Sequence, residues 1–521
     1  MNHLPPSVRA RKLVGVVLAA LLFAMTGCTS AVNQAKQSSS SGASGGTLVV
    51  GALSDLTPSA IYSQSTTSMT VGRLLYDTLI HYNRETGTPE PAVAKSWNVS
   101  GDGLTVTLNL RDDVKYHSGR TLTSKDVEYA LTTYASAAAG SQLQPAAAAV
   151  DSVDTSQPQV AVLHLKHALV NLFDLLEFVL LTDSETPKEL AAGEKFIGTG
   201  PFEFKSWDRG QQVTLVRNPD YWNGAAKVDQ VDVKVFTDQT ALLNSVRSGQ
   251  TNVVTDVSVQ ALAPFKDNDQ FTIQAENVWD VNYYLGVNLK NQTLANQELR
   301  QALAYSLDRE RILKDVFGGV GSVNSSPWSP ASPAYNKEYA TRYSLDLQKA
   351  KTLLAQAGGA PAQTLTLAYN TALAPAKEVS EIVQSNLADL GVKVNVLPLD
   401  SAAYSAQMSA GKVDLWIGPH GFGQNSPATL ATGAAPFKPK NNLSGYSSDG
   451  YTQLVSNVWN QPDPSSTAAH TAYDAYTKEV SDQQFVINMV TTTVTNVYTS
   501  SVRGVDWNTY KYLILDKATV R

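Results

Sequence analysis

Cysteine is almost missing from this chain: position 28 holds the only one among 521 residues. One thiol makes no internal disulfide and supplies no Cys-x-x-Cys pair for redox work or zinc. Long hydrophobic runs are scarce as well. As a helix the apolar stretch 13–24 would rise only about 18 Å, against roughly 30 Å of bilayer hydrocarbon, and no later run reaches about 18 residues. Positive charge is in short supply: 40 Lys and Arg stand against 46 Asp and Glu, a formal charge of −6. With no basic cluster there is no electrostatic footprint for nucleic acid. Catalytic patterns are nearly absent. A P-loop, an H-E-x-x-H and a Cys/His cluster are all lacking, so no metal site and no cofactor is expected. The G-x-S-x-G match at 42–46 has no strand and helix around its serine. His164 and His167 end a strand-like "VAVLHL", where a spacing of three sends side chains to opposite faces. Nothing nominates an enzyme.

What is present begins at the N-terminus. Arg9, Arg11 and Lys12 precede the apolar run, the pattern of a signal peptide whose removal is expected, and residues 29–46 form a Ser/Gly/Ala/Gln tract that cannot bury enough surface to order itself. Between them "MTGC", 25–28, resembles a bacterial lipobox, with Met25 where Leu is commoner. The resemblance implies that Cys28 carries a lipid anchor and becomes the mature N-terminus, the Ser/Gly tract acting as tether. An ordinary buried thiol fits poorly beside such a tract.

From Gly46 onward strand and helix patterns alternate. "LTVTLNL", 104–110, places Leu104, Val106, Leu108 and Leu110 on one face after a "GDG" turn. "TLTSKDVEYALTTY" then offers Thr123 as a cap with Asp126 three residues on, and "TDQTALLNSVRSG" offers Asp238 as cap and Gly249 as terminator. Helical spacing recurs over 296–307, 308–317, 345–357 and 376–390, separated by short strands at 392–397 and 413–418. The alternation predicts an α/β chain of two or three domains with parallel strands.

Five blocks carry a wider resemblance: "PAVAKSWNVSGDGLTVTLNLRDDVKYHSGRTLTSKDVEYAL" (91–131), "GTGPFEFKSWDRGQQVTLVRNPDYWNG" (198–224), "LGVNLKNQTLANQELRQALAYSLDRERI" (285–312), "DLQKAKTLLAQAG" (346–358) and "IVQSNLADLGVKV" (382–394). In their order and spacing they resemble the family 5 extracellular solute-binding proteins, the oligopeptide-, dipeptide- and nickel-binding components of bacterial ABC importers. The resemblance implies a two-lobed class C binding-protein fold closing like a hinge. Lobe I would be 47–285 plus 495–521, with an extra subdomain near 82–198, and lobe II 286–494. The chain would cross between lobes near Tyr284–Asn288 and Thr493–Val497. It further implies a monomeric, non-enzymatic receptor held on the extracytoplasmic face of the cell membrane, with ABC permease subunits as partners. Asn218 to Trp222 and His117 read as structural turns rather than ligand contacts.

Peptide-binding members pair the ligand ammonium with an aspartate shortly before a proline, and dipeptide-binding members add an arginine for the carboxylate. Here the corresponding positions hold Gly423 and Asn370, and 418–430 contains no carboxylate. Weak binding of simple dipeptides follows as an expectation, because a buried ammonium without a counter-charge costs several kcal/mol. The expected lining is Asn370, His420, Phe422, Gln424 and Asn425, with Trp416 behind and Tyr62, Trp279 and Tyr283 facing from lobe I. Such a set suits longer peptides, or alternatively a sugar-containing solute or a metal chelate to which His420 lends a nitrogen. That Trp416 and Phe422 are core, and His420 a satisfied loop residue, stays open.

Overall fold

The strand Thr47–Ala52 (TLVVGA) is apolar along most of its length and takes the middle of a sheet, with parallel partners on both sides: Gln230–Val235 and Val253–Val254. In this computed structural model, residues 45–521 are described apart from 64–65, 256, 276–279, 374 and 462. The signal, Cys28 and nearly all of the tether thus lie outside the described residues. The full sheet has seven strands, in the order Phe271–Ala275, Thr495–Thr499, Val253–Val254, Thr47–Ala52, Gln230–Val235, Gln212–Arg217, Phe202–Asp208. The helix Gln239–Arg247 starts where expected, Asp238 accepting the Ala241 N–H at 2.9 Å, and packs so closely that a Cβ on Gly51 would lie 2.5 Å from Leu242.

A second sheet has six strands: Ser322–Val323, Val486–Thr492, Val281–Val287, Leu415–His420, Leu365–Asn370, Val394–Leu399. It is mixed rather than parallel throughout. Leu365–Asn370 runs parallel to both neighbours, whereas Val281–Val287 is antiparallel to both of its own. One strand brings the chain into this sheet and Val486–Thr492 takes it out, so Val281 pairs with Thr492. In the first sheet Ala275 pairs with Thr495. The ends of the two connections between the sheets therefore lie beside one another: Ala275 and Val281 flank the first, Thr495 and Thr492 the second. The first crossing thus lies upstream of the expected 284–288, and the expected boundary at 285 falls inside the strand Val281–Val287, which is buried except at Val281.

Residues 94–165 form a separate antiparallel sheet, ordered Ala94–Val99, Thr105–Leu110, Val160–Leu165, Val150–Gln157. Val106, Leu108 and Leu110 are buried as their alternation predicts, but Leu104 at the turn is 39 % exposed. The helix Ser124–Ala135 covers this sheet, Asp126 Oδ2 accepting the Thr123 N–H at 2.9 Å. Its core is continuous with that of the seven-stranded sheet.

Around the second sheet, Gln297–Ser306, Arg309–Phe317 and Leu347–Gln356 begin at Asn296, Asp308 and Asp346, each side chain accepting an N–H three residues on at 2.9 Å. Ala376–Asp389 follows. Arg309 is buried on this face, donating to the carbonyls of Asn488 (2.9 Å), Ala304 (2.9 Å) and Tyr343 (2.6 Å). The turn at Asn218 reads as expected. Tyr221 and Trp222 each donate to Asp77 at 2.8 Å, and His117 is held by the backbone of Gly198 and Gly200.

Candidate functional site: the cleft between the two sheets

A cavity of about 760 Å³ opens between the sheets, with walls from Val50 to Ser54, Asn496 and Thr509 to Leu513 on the first-sheet side and from Asp280, Tyr283 and His420 on the other. Ser141 and Gln142, from the segment beyond the helix Ser124–Ala135, and Pro145, in the short helix Gln144–Ala148, close one side.

His420 ends the strand Leu415–His420, between the rings of Tyr284 (centroids 5.5 Å) and Phe437 (4.8 Å). Its Nε2 lies 2.7 Å from Asn488 Oδ1, and Asn488 is in turn fixed through its carbonyl by Arg309. Burial lowers the imidazole to about 4, so it is neutral at pH 7. An Nε2–H donated to Asn488 leaves Nδ1 as a bare acceptor, and Nδ1 has no hydrogen-bond partner among the described residues.

Phe422 adopts φ +68, a left-handed conformation unusual for an aromatic residue and costing about 1–3 kcal/mol. Two contacts hold it there. Asp280 Oδ2 accepts its N–H at 2.8 Å, and its ring packs on Phe178 and Tyr510, each at 5.4 Å. Burial lifts the Asp280 carboxyl to about 6, with Lys511 pulling the other way.

Further polar contacts join the halves. Gln142 Nε2 donates to the carbonyls of Gly421 (3.3 Å) and Thr429 (3.2 Å), and Asn425 Nδ2 to Tyr510 Oη (3.2 Å). Asp174 accepts from Tyr82 (2.9 Å), Tyr510 (3.0 Å) and, across the cleft, Thr429 Oγ1 (2.5 Å); Asn171 Nδ2 also donates to Thr429 Oγ1 at 3.2 Å. Burial raises Asp174 to about 6.

Of the residues nominated from sequence, Tyr283, Asn370, His420, Phe422 and Gln424 line the cavity. Tyr62, Trp416 and Asn425 do not. Tyr62 packs edge-on against Tyr134 at 5.4 Å, and Trp416 is core because Gly286 opposite lacks a side chain: a Cβ there would lie 2.0 Å from its ring. Asn425 instead spans the halves. Tyr283 belongs to the second sheet, not to lobe I as expected, since its strand pairs with Leu415–His420. Trp279 and Cys28 lie outside the described residues. A wholly neutral lining is also corrected, because Asp280 and Lys511 enter from segments far from 418–430. Asn496 and Thr493 were likewise missed. Their one signal was the polar run "TTTVTN", 491–496, in which Thr493 to Asn496 are mostly buried.

Two mixed sheets joined by paired crossings, with the cavity between them, define a two-lobed solute-binding protein. Residues 88–441 match the middle region of the bacterial extracellular solute-binding proteins, family 5, and the chain belongs to that family. It is 26 % identical over 419 residues to di/tripeptide-binding protein 2 of Pseudomonas aeruginosa, covering 73 % of this chain and 77 % of that one. To the oligopeptide-binding protein AppA of Bacillus subtilis it is 27 % identical over 423 residues, 76 % of each chain. The structure of AppA in complex with a nonapeptide superposes with a TM-score of 0.81 at 22 % identity, over 92 % of this chain and 100 % of that chain. NikA from Staphylococcus aureus in complex with Ni(L-His)2 superposes at 0.80 and 18 % identity, over 91 % and 100 %. Among the described residues no helix is long and apolar enough to cross a membrane.

Proposed function

We propose that this chain is the substrate-binding component of an ABC importer, capturing peptides longer than dipeptides between its lobes and passing them to a membrane permease. The observation that carries the reading is the cavity of about 760 Å³, built from both halves and lined by aromatic and aliphatic walls with unpartnered polar atoms among them. Its size falls in the range of about 300–1,000 Å³ that suits sequestered ligands. The names of the relatives support peptides as the ligand class.

In this reading lobe I is 45–275 with 495–521 and lobe II is 280–492, the adjacent crossings acting as the hinge. The contacts of Gln142, Asn171 and Asp174 with Thr429 form on closure. Cys28 carries the lipid, and residues 29–46 give a receptor anchored at the extracytoplasmic face enough slack to reach its permease, raising the effective concentration there.

Native mass spectrometry of the freshly purified protein identifies a retained ligand. Calorimetry with panels of di-, tri- and longer peptides then tests the reading: longer peptides are expected to bind tightly, and submicromolar binding of simple dipeptides alone would overturn it. A second reading, a metal chelate, is favoured by the bare Nδ1 of His420. Among the described residues no group of three or more His, Cys, Asp or Glu side chains could hold a metal ion, so the metal would have to arrive with its own ligands. Nickel-histidine belongs in the same titration, and His420→Ala should abolish that binding.

A further inference from the structure

The charged side chains lining the cavity are Asp280, Lys438 and Lys511 among the described residues. Asp280 is already engaged, holding the Phe422 N–H at 2.8 Å with Lys511 as compensating charge. Lys438 is half-buried and too solvated for an ion pair there to contribute much. The cavity is therefore poorly equipped to read a charged terminus.

Its neutral groups are differently disposed. Asn496 is completely buried at the start of Thr495–Thr499 and lines the cavity, yet neither Oδ1 nor Nδ2 has a hydrogen-bond partner among the described residues. Thr493 Oγ1, Gln424 Oε1 and His420 Nδ1, on residues lining the same cavity, share that condition. Buried polar groups left unpaired are rare and call for an explanation. A carboxamide carries one donor face and one acceptor face, and its complement is another amide. In an extended chain the N–H and C=O of one residue project to the same side, as they do when alternate residues pair across an antiparallel sheet.

We propose that Asn496 reads an internal residue of an extended ligand, accepting its N–H and donating to its C=O, with Thr493, Gln424 and His420 beside it, so that recognition does not depend on free termini. The inference rests on the peptide-binding reading and sharpens it to a ligand class: oligopeptides recognised through the backbone, terminally blocked ones included.

The probe is a mixed-sequence tetrapeptide pool in four forms, free, N-acetylated, C-amidated and doubly blocked, with binding read by native mass spectrometry and calorimetry. Blocking should change affinity less than threefold, and Asn496→Leu should weaken every form by about 10- to 100-fold. Because the Asn496 side chain makes no bond within the described protein, Asn496→Leu should keep or raise the melting temperature without ligand. A fall there would mark the residue as structural and overturn the assignment. Binding of the free but not the acetylated pool would overturn this inference and leave the peptide reading standing. Unchanged binding by Asn496→Leu would also overturn it alone. Failure of all four forms would overturn both.

Discussion

Replacing Arg309 by methionine removes a buried guanidinium while keeping a long unbranched side chain. Three carbonyls on separate segments lose a short bond, Ala304 in one helix, Tyr343 in a loop and Asn488 in the strand that supports His420, and Leu307 loses a long one at 3.5 Å. Each charge-assisted bond is worth about 1.5–3 kcal/mol. Against that stands the desolvation of the cation, several kcal/mol, a cost visible in the lowering of Arg309 to about 10 by burial. The net loss should be about 2–4 kcal/mol. For a lobe of roughly 200 residues, where 1 kcal/mol shifts the midpoint by about 2–4 °C, a loss near 3 kcal/mol lowers melting by about 6–12 °C. Differential scanning calorimetry measures it, and Arg309→Lys, which keeps the charge but not the fork, should fall between. The loss should also reach the site, because Asn488 positions His420 at 2.7 Å. A melting temperature within about 2 °C of the parent would refute the reasoning, since it would mean that three buried carbonyls do not need this donor.

Thr429→Val keeps the shape of the side chain but removes the hydroxyl that donates to Asp174 and accepts from Asn171 across the cleft. It should favour the open form and weaken binding of the best peptide of the panel by about 10- to 100-fold, with a larger radius by small-angle scattering; unchanged affinity and radius would remove the latch. Asp174 rises from its ordinary 3.8 to about 6 in the fold, so its contribution, about 3 kcal/mol at most, is fully present below pH 3.8 and lost as pH rises through 6. The stability advantage of the parent over Asp174→Asn should therefore shrink between pH 4 and pH 7 in urea titrations, and an advantage that grew with pH would reverse the assigned sign. Cys28→Ala should release the protein from membranes, and a variant that fractionated with membranes as the parent does would exclude lipidation at that residue.

What the sequence settled by itself is what short-range chemistry settles. Asp238, Asn296, Asp308 and Asp346 start helices because each side chain reaches an N–H three residues ahead, and Thr123 with Asp126 does so reciprocally. The buried face of Val106, Leu108 and Leu110 follows from a period of two, and the five blocks in order were enough to name the family. Tertiary structure decided the rest. Trp416 became core because Gly286, 130 positions away on the neighbouring strand, leaves room for its ring. The expected boundary at 285 gave way because pairing with Leu415–His420 and Val486–Thr492 assigns the whole of Val281–Val287 to the second sheet. The cleft gathers Asp280, His420, Asn496 and Lys511 from four distant segments. No local pattern marks such residues, because what sets them apart is burial without a hydrogen-bond partner or beside a single opposite charge, and that condition exists only once both sheets are assembled.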